Sequence, residues 1–379
     1  MRVELISKLD LLAPHAEQWD RLAGGIPFNG WAWMSTWWRY YGVPDEVARS
    51  AMRLYVLLVW NRHDELAGLA PWYLDTSTAR GRVVRFLGSG DVCSDHQSVL
   101  CQKGEEDAVT QALADWLTEQ RPGAIHCWDL MEWDGVDLDQ PVMTRLMEQL
   151  AIRGSTVHAR PGPNCWRIEL PTRWDDYLAG LSKNRRKKIR RAQRRFLDNG
   201  RAVLHSVRKI SELPRAMEIL IELHQRRRRA LGHQGSFASG RFTAFHRSAV
   251  ESLLRAGQLQ LHWLEVDDEP VAAEYQVAGD GILYAYQAGI NPSRLEIEPG
   301  HLITIALVRW AIQSGYRAYD LLRGDEPYKT RWGATPRATR QIRVVPQFAS
   351  AQFRHGAWLA GESVKQWVKR GWELVAGPS

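Results

Sequence analysis

The chain has 379 residues, 45% of them hydrophobic and 25% charged, with a formal net charge of +7 and four cysteines. That composition excludes a disordered or low-complexity protein, and the length suits two domains better than one. The longest apolar run, "LYVLLVW" (Leu54–Trp60), is too short to span a bilayer, and Cys93, Cys101, Cys127 and Cys165 make no CxxC pair of the kind that holds zinc.

In chain order, "MRVELISKLDLLAP" carries acids inside its apolar stretch and no small-residue cleavage site, so no signal peptide and a cytoplasmic location with free thiols are expected. Trp31, Trp33, Trp37 and Trp38 predict a helix packed onto the first lobe. Leu54–Trp60 and Leu66–Leu74 read as a hairpin. Strands follow at Val83–Leu87 and Gln97–Cys101, then a helix at Glu106–Gln120 and a strand at Ile125–Met131. A helical stretch runs from Trp174 to about Gly232, interrupted near Asn199–Val207 and by Pro214. The first order of elements then returns: a hairpin of Leu259–Val266 and Val271–Ala278, a strand at Ile282–Ile290, a helix at Gly300–Ser314 and a strand at Ala318–Leu322. The fold class is therefore α/β, with mixed sheets and helices in two tandem lobes. The lobes are placed at 1–165 and 166–345, the second including the basic helical segment 174–232, with a C-terminal helix over 346–379.

The charge is concentrated. Nine basic residues lie between Leu181 and Arg195 and four more at Arg226–Arg229, with no acid among them; without these thirteen the net +7 becomes −6. A local anionic partner is implied. Leu178, Leu181, Arg185, Ile189, Ala192 and Phe196, spaced 3, 4, 4, 3 and 4, define one helix face that is apolar except for Arg185. An unpaired guanidinium on that face would be costly, so Arg185 meets either an internal carboxylate or a substrate anion. In "IEPGHLITIALVRWAIQSG", Pro299 and Gly300 begin a helix directly after a strand. The orphan amides and dipole of such a start suit an anion, although a plain crossover turn has the same look.

Six stretches, "FNGWAWMSTWWRYYG", "SDHQSVL", "LSKNRRKKIRRAQRRF", "LHQRRRRALGHQGSF", "LYAYQAGINPSRLEIEPGHLITIALVRWAIQSG" and "YDLLRGDEPYKTRWG", together resemble the CelD/BcsL-type acetyltransferases over about Phe28–Gly333. This branch of the GNAT superfamily is associated with polysaccharide synthesis and related to the two-lobed FemAB-like peptidyltransferases. The resemblance implies tandem GNAT-like lobes and an acyltransferase using acyl-CoA, acetyl-CoA first, with no metal. The first-turn amides of Gly300, His301 and Leu302 would receive the donor's pyrophosphate. Here the loop has one glycine where the family has two, and Glu296 and Glu298 stand beside it, which leaves room for an aminoacyl-tRNA donor.

Acyl transfer needs a base and a group that steadies negative charge. Asp95 is the first candidate base and Glu274 the second, with Asp320 a further acid. Tyr328 would protonate the leaving thiolate, with Tyr286 its rival. Lys329 and Arg331 supply positive charge, and Arg185 and His224 would touch an anionic sugar or lipid-linked acceptor. The expected reaction moves an acyl group onto an amine or hydroxyl of a sugar or envelope polysaccharide precursor. The alternatives are a FemAB-like aminoacyl-tRNA-dependent transferase and a non-catalytic nucleic-acid-binding protein on the same fold; the lack of aromatics among the arginines speaks against the latter. Residues 351–377 read as a basic, Trp-rich amphipathic helix, either docking on an anionic membrane or closing the second lobe.

Overall fold

The computed structural model describes residues 1–42, 51–78, 80–119 and 127–356. The first lobe holds β1 (Arg2–Ile6), α1 (Ala16–Leu22), α2 (Trp31–Tyr41), β2 (Ala51–Leu54), β3 (Val56–Trp60), β4 (Leu66–Ala70), β5 (Trp72–Ser77), β6 (Gly81–Phe86), β7 (Leu100–Cys101), α3 (Glu106–Thr118), β8 (Leu130–Asp137), α4 (Pro141–Ile152) and β9 (Thr156–Pro161). The chain continues through β10 (Cys165–Glu169), α5 (Trp174–Gly180), α6 (Lys183–Ala192), β11 (Ala202–Ser206), α7 (Leu213–Ala230), α8 (Gly240–Arg255), β12 (Leu259–Val266), β13 (Glu269–Gly279) and β14 (Ile282–Ile290). It closes with α9 (Pro299–Gln313), β15 (Ala318–Arg323), α10 (Tyr328–Arg331), β16 (Thr335–Arg337) and β17 (Thr339–Val345). Among these residues no helix is long and apolar enough to cross a membrane.

The two halves repeat one plan. A first strand (β1 or β11) lies antiparallel to the strand that follows two helices (β3 or β12). A hairpin and a further strand come next, then a helix (α3 or α9). The strand after that helix runs parallel to an earlier one, β8 along β6 and β15 along β14. In the first lobe the hairpin's return strand breaks at Pro71, which has no amide to give a ladder, so β4 and β5 enter different sheets.

The sheets do not divide at residue 165. Their orders are β1-β3-β4-β7, β2-β5-β6-β8-β17-β9 and β11-β12-β13-β14-β15-β10-β16. Strand β10 lies between β15 and β16 in the second lobe, whereas β17 returns to lie between β8 and β9 of the first. Backbone hydrogen bonds along β17 thus tie the two lobes together.

Two helical expectations need correction. The stripe from Leu178 to Phe196 is shared by α5, α6 and a π-helical turn at Gln193–Leu197, because Ser182 interrupts the helix and its hydroxyl caps α6 by accepting from the Arg185 amide at 3.4 Å. Helix α2 packs across both lobes rather than on the first alone. Trp33 meets Phe245 of α8 edge-on at 5.1 Å and Tyr286 of β14 at 5.2 Å. A single apolar cluster joins α2, α7 and α8 to strands of both halves. Of the predicted C-terminal helix, residues 349–356 are helical and pack Ala351 against Val83, Leu130 and Val345 of the first-lobe sheet; 357–379 lie outside the described residues.

Candidate active site

Strands β14 and β15 pair only from Ile282–Tyr284 to Ala318–Asp320 and then diverge. From Ala285 to Ile290, β14 keeps β13 on one side and has no strand on the other. This splay opens a cavity of about 840 Å3, walled by β14, the ends of β15 and α9, α6, the last turn of α7 and a first-lobe segment around Asp91–Asp95. Gly289 lets α7 come this close: a Cβ there would stand 2.4 Å from the His224 backbone nitrogen, so Gly289→Ala should cost about 1–3 kcal/mol in overpacking.

One end of the cavity is the start of α9. Of the three amides expected there, His301 and Leu302 already donate to the Glu298 carbonyl, at 2.8 and 3.1 Å. Only the Gly300 amide has no acceptor among the described residues. Glu298 adopts a left-handed conformation (φ 52°) and is ion-paired to Lys188 at 2.5 Å, which offsets its repulsion of an anion. Arg185 stands beside this point with no carboxylate in ion-pair distance. Its guanidinium lies 4.2 Å over the Trp332 ring and one nitrogen is 3.3 Å from His301 Nδ1. The Arg185 Nε and His301 Nε2 are buried without partners. Burial, then Arg185 and Lys188, lower His301 to about 4, so at neutral pH it is uncharged and accepts from Arg185. The arrangement gathers three donors without acceptors among the described residues, the Gly300 amide, Arg185 Nε and His301 Nε2, a set whose chemistry suits an anion.

The middle of the cavity holds the acid–base groups. Glu274, on β13 opposite Ala288, is 7% exposed, and its Oε1 accepts from Tyr319 and, at 2.8 Å, from Gln276. Burial raises its pKa, against the two hydrogen bonds that lower it. Tyr328 at the start of α10 is 48% exposed, and its hydroxyl has no hydrogen-bond partner among the described residues. Partial burial first, then Glu326 and Glu274, push its pKa up to about 12, so it keeps its proton at neutral pH. Lys329 faces the cavity but is spent on structure: its ammonium donates to the carbonyls of Leu322, Arg323 and Gly324 at 2.9–3.0 Å and pairs with Glu326. Asp95 is likewise engaged, its carboxylate taking the Arg323 guanidinium and, at 3.1 Å, the Arg323 amide. Both Asp95 oxygens are thus taken, whereas Glu274 Oε2 has no hydrogen-bond partner among the described residues. Arg331 and the ring of Tyr286 also line the cavity, but the Tyr286 hydroxyl donates to the Val92 carbonyl at 2.6 Å.

Two expected site residues lie elsewhere, and Leu302, whose amide is already bonded at the start of α9, buries its side chain in the core. His224 is a core residue, edge-on to Phe237 at 5.0 Å. Asp320 is wholly buried between the lobes, accepting from Arg167 at 3.0 Å and the Leu322 amide at 2.8 Å, with His96 at 3.4 Å. His96 reaches Asp137 on its other nitrogen at 2.8 Å. Burial would lower its pKa, but Asp320 and Asp137 raise it to about 10, making it a bridging cation. These partners, His96, Asp137, Arg167 and Arg323, join residues far apart in sequence, and no local pattern announces them. His96, Asp137 and Cys165 bring potential metal-ligand atoms within 4.8 Å of one another; the His96–Asp137 spacing is that of a hydrogen bond.

Among its described residues the first lobe shows no matching cavity. Its β6–β8 splay is filled by Trp72, Phe86 and Trp133, all at most 1% exposed, with Trp72 stacked on Trp133 at 5.1 Å. Helix α3 opens with Glu106 and Asp107, which already answer its dipole.

The family model for the acetyltransferase (GNAT) domain matches residues 183–330. No curated protein matches the sequence. Among solved structures, FemX aligns with a TM-score of 0.63 at 12% identity, covering 90% of this chain and 97% of that one. A conserved protein of unknown function from Bacteroides thetaiotaomicron gives 0.55 at 9% identity, over 91% and 100% of the chains. The C-terminal domain of a protein described as a lysylphosphatidylglycerol synthetase, from Agrobacterium fabrum, gives 0.51 at 10%, over 91% and 94%. Identities this low speak for the fold alone. The stretch similar to the acetyltransferase (GNAT) domain model contains Arg185, Glu274, Gly300 and Tyr328, and that similarity supports acyltransferase activity.

Proposed function

We propose that the protein transfers an acyl group, acetyl first, from acyl-CoA to an amine or hydroxyl of a sugar or envelope polysaccharide precursor, as a CelD/BcsL-type enzyme. The observation that carries this reading is one cavity that brings together an anion seat at Gly300, Arg185 and His301, the buried carboxylate of Glu274 and the phenol of Tyr328. The donor's pyrophosphate sits at the seat. Its amide-bearing arm lies along the unpaired edge of β14, whose backbone groups can bond it as a strand would. The acceptor nitrogen or oxygen attacks the thioester carbon and yields its proton to Glu274. The carbon–sulfur bond breaks, and the departing thiolate takes a proton from Tyr328. Lys329 holds the end of β15 in shape and acts as a positioning residue.

A second reading uses aminoacyl-tRNA as donor. It is favoured by the exposed cations Lys187, Arg191, Arg194 and Arg195 along α6 and by the likeness to FemX. Release of free thiol from acetyl-CoA, assayed with amino sugars as acceptors, supports the first reading. Acceptor-dependent loss of aminoacyl-tRNA with no thiol release would replace it with the second.

A further inference from the structure

Four consecutive arginines end α7, and they do not share one role. Arg226 is held by Asn291 at 3.0 Å and Glu222 at 3.4 Å, and Arg229 donates to the Gln225 carbonyl at 3.3 Å. Arg227 and Arg228 have no side-chain acceptor among the described residues, and both line the cavity. The turn after the helix is fixed rather than loose. Its Leu231 and His233 amides return to the Arg228 carbonyl at 3.1 and 2.9 Å, Gly232 takes φ +81°, and Gln225 donates to the Gln234 carbonyl at 2.9 Å. This places Ser236 on the cavity wall as well. Two guanidiniums from the end of α7 without side-chain acceptors among the described residues, and the Ser236 hydroxyl from the turn after it, therefore line the cavity, whereas the donor seat is built from α6 and α9. Asp91, the nearby first-lobe carboxylate on the wall, sets one negative charge against two positive ones.

We infer that Arg227, Arg228 and Ser236 form a second anion seat, and that the acceptor is a sugar phosphate whose phosphate docks there while its amine or hydroxyl points to Glu274. A pair of guanidinium forks with a hydroxyl suits the several oxygens of a phosphate better than a single carboxylate. The inference rests on the acyl-transfer reading for the acceptor's identity, while the seat itself can be measured apart from it.

The test uses the full chain and two probes, CoA and inorganic pyrophosphate, in calorimetry. Protein saturated with CoA should still bind pyrophosphate. The double variant Arg227→Ala/Arg228→Ala should bind it at least tenfold more weakly while keeping its CoA affinity. Lysine at both positions should restore part of the loss, and thermal melts should stay close to wild type, since both side chains lack protein partners. In turnover, glucosamine 1-phosphate should outperform glucosamine for wild type, and the preference should vanish in the double alanine variant. No pyrophosphate binding to the CoA-saturated protein, or equal binding by wild type and double variant, overturns the second seat. If CoA itself does not bind, the donor assignment fails instead. Pyrophosphate binding that survives Arg185→Ala but not the double substitution would then still support the seat.

Discussion

Replacing Glu274 with glutamine removes the base and little else. The carboxyl group is buried, with Oε1 already accepting from Tyr319 and Gln276. A glutamine can keep its carbonyl oxygen on those two donors and turn its amide toward the cavity. Loss of a positioned base typically slows transfer about a hundred- to ten-thousandfold, which is about 3–5 kcal/mol on the barrier. Stability should move the other way. Because burial raises the folded pKa above the unfolded value, the folded chain loses stability as pH rises and the group must ionise, and a neutral glutamine escapes that loss. At pH 7 the variant should therefore melt no lower than wild type while kcat collapses. The rise of rate with pH that reports Glu274 losing its proton should also disappear. A variant whose kcat stays within about threefold of wild type, with the same pH profile, would refute the assignment of the base.

Arg185→Ala should weaken CoA binding at least tenfold, about 1.4 kcal/mol, without loss of fold, while the exposed Arg194→Ala changes little; equal effects of the two would make Arg185 merely one of many surface charges. Stability should fall on acidification between about pH 6.5 and 4, because His246 and His262 are lowered to about 3 and His301 to about 4 and the unfolded chain takes protons first. Each should contribute about 1.4 kcal/mol per pH unit over that window, read by urea melts. His96 acts oppositely. Its pKa is raised to about 10, so its contribution is complete below about pH 6.5 and is lost as pH climbs toward 10; urea midpoints unchanged across both ranges would contradict these linkages.

The second half was readable because its signals are local. Strands β12 and β14 fall where alternation and length put them, and Pro299-Gly300 marks the start of α9 as a proline at N1 should. The cavity was legible in part for the same reason. Gly300, Glu274 and Tyr328 sit on those elements, and Arg185 stood out as the one charge in an apolar stripe. What the sequence hid is non-local. Nothing in "TRQIRVV" says that β17 returns to the first lobe, because a strand's pattern names its faces and not its neighbours. Asp95 and Lys329 look like free reactive groups until Arg323 and the three carbonyls after Asp320 are brought beside them. His96 carried its charge into a buried bridge with partners 41 and 224 positions away in the chain, beyond any motif.

Titration of acetyl-CoA into the wild-type protein and Gly300→Asp tests the central claim most directly. A Cβ at Gly300 would lie 3.7 Å from Ile290, an ordinary contact, and an acid in the first turn of a helix suits its dipole, so the variant should fold normally. Its carboxylate would stand beside the one unused amide of α9. The account predicts that wild type binds acetyl-CoA and that Gly300→Asp binds it at least tenfold more weakly, at matched thermal stability. Binding of equal strength by the two proteins, or none by wild type, would contradict it.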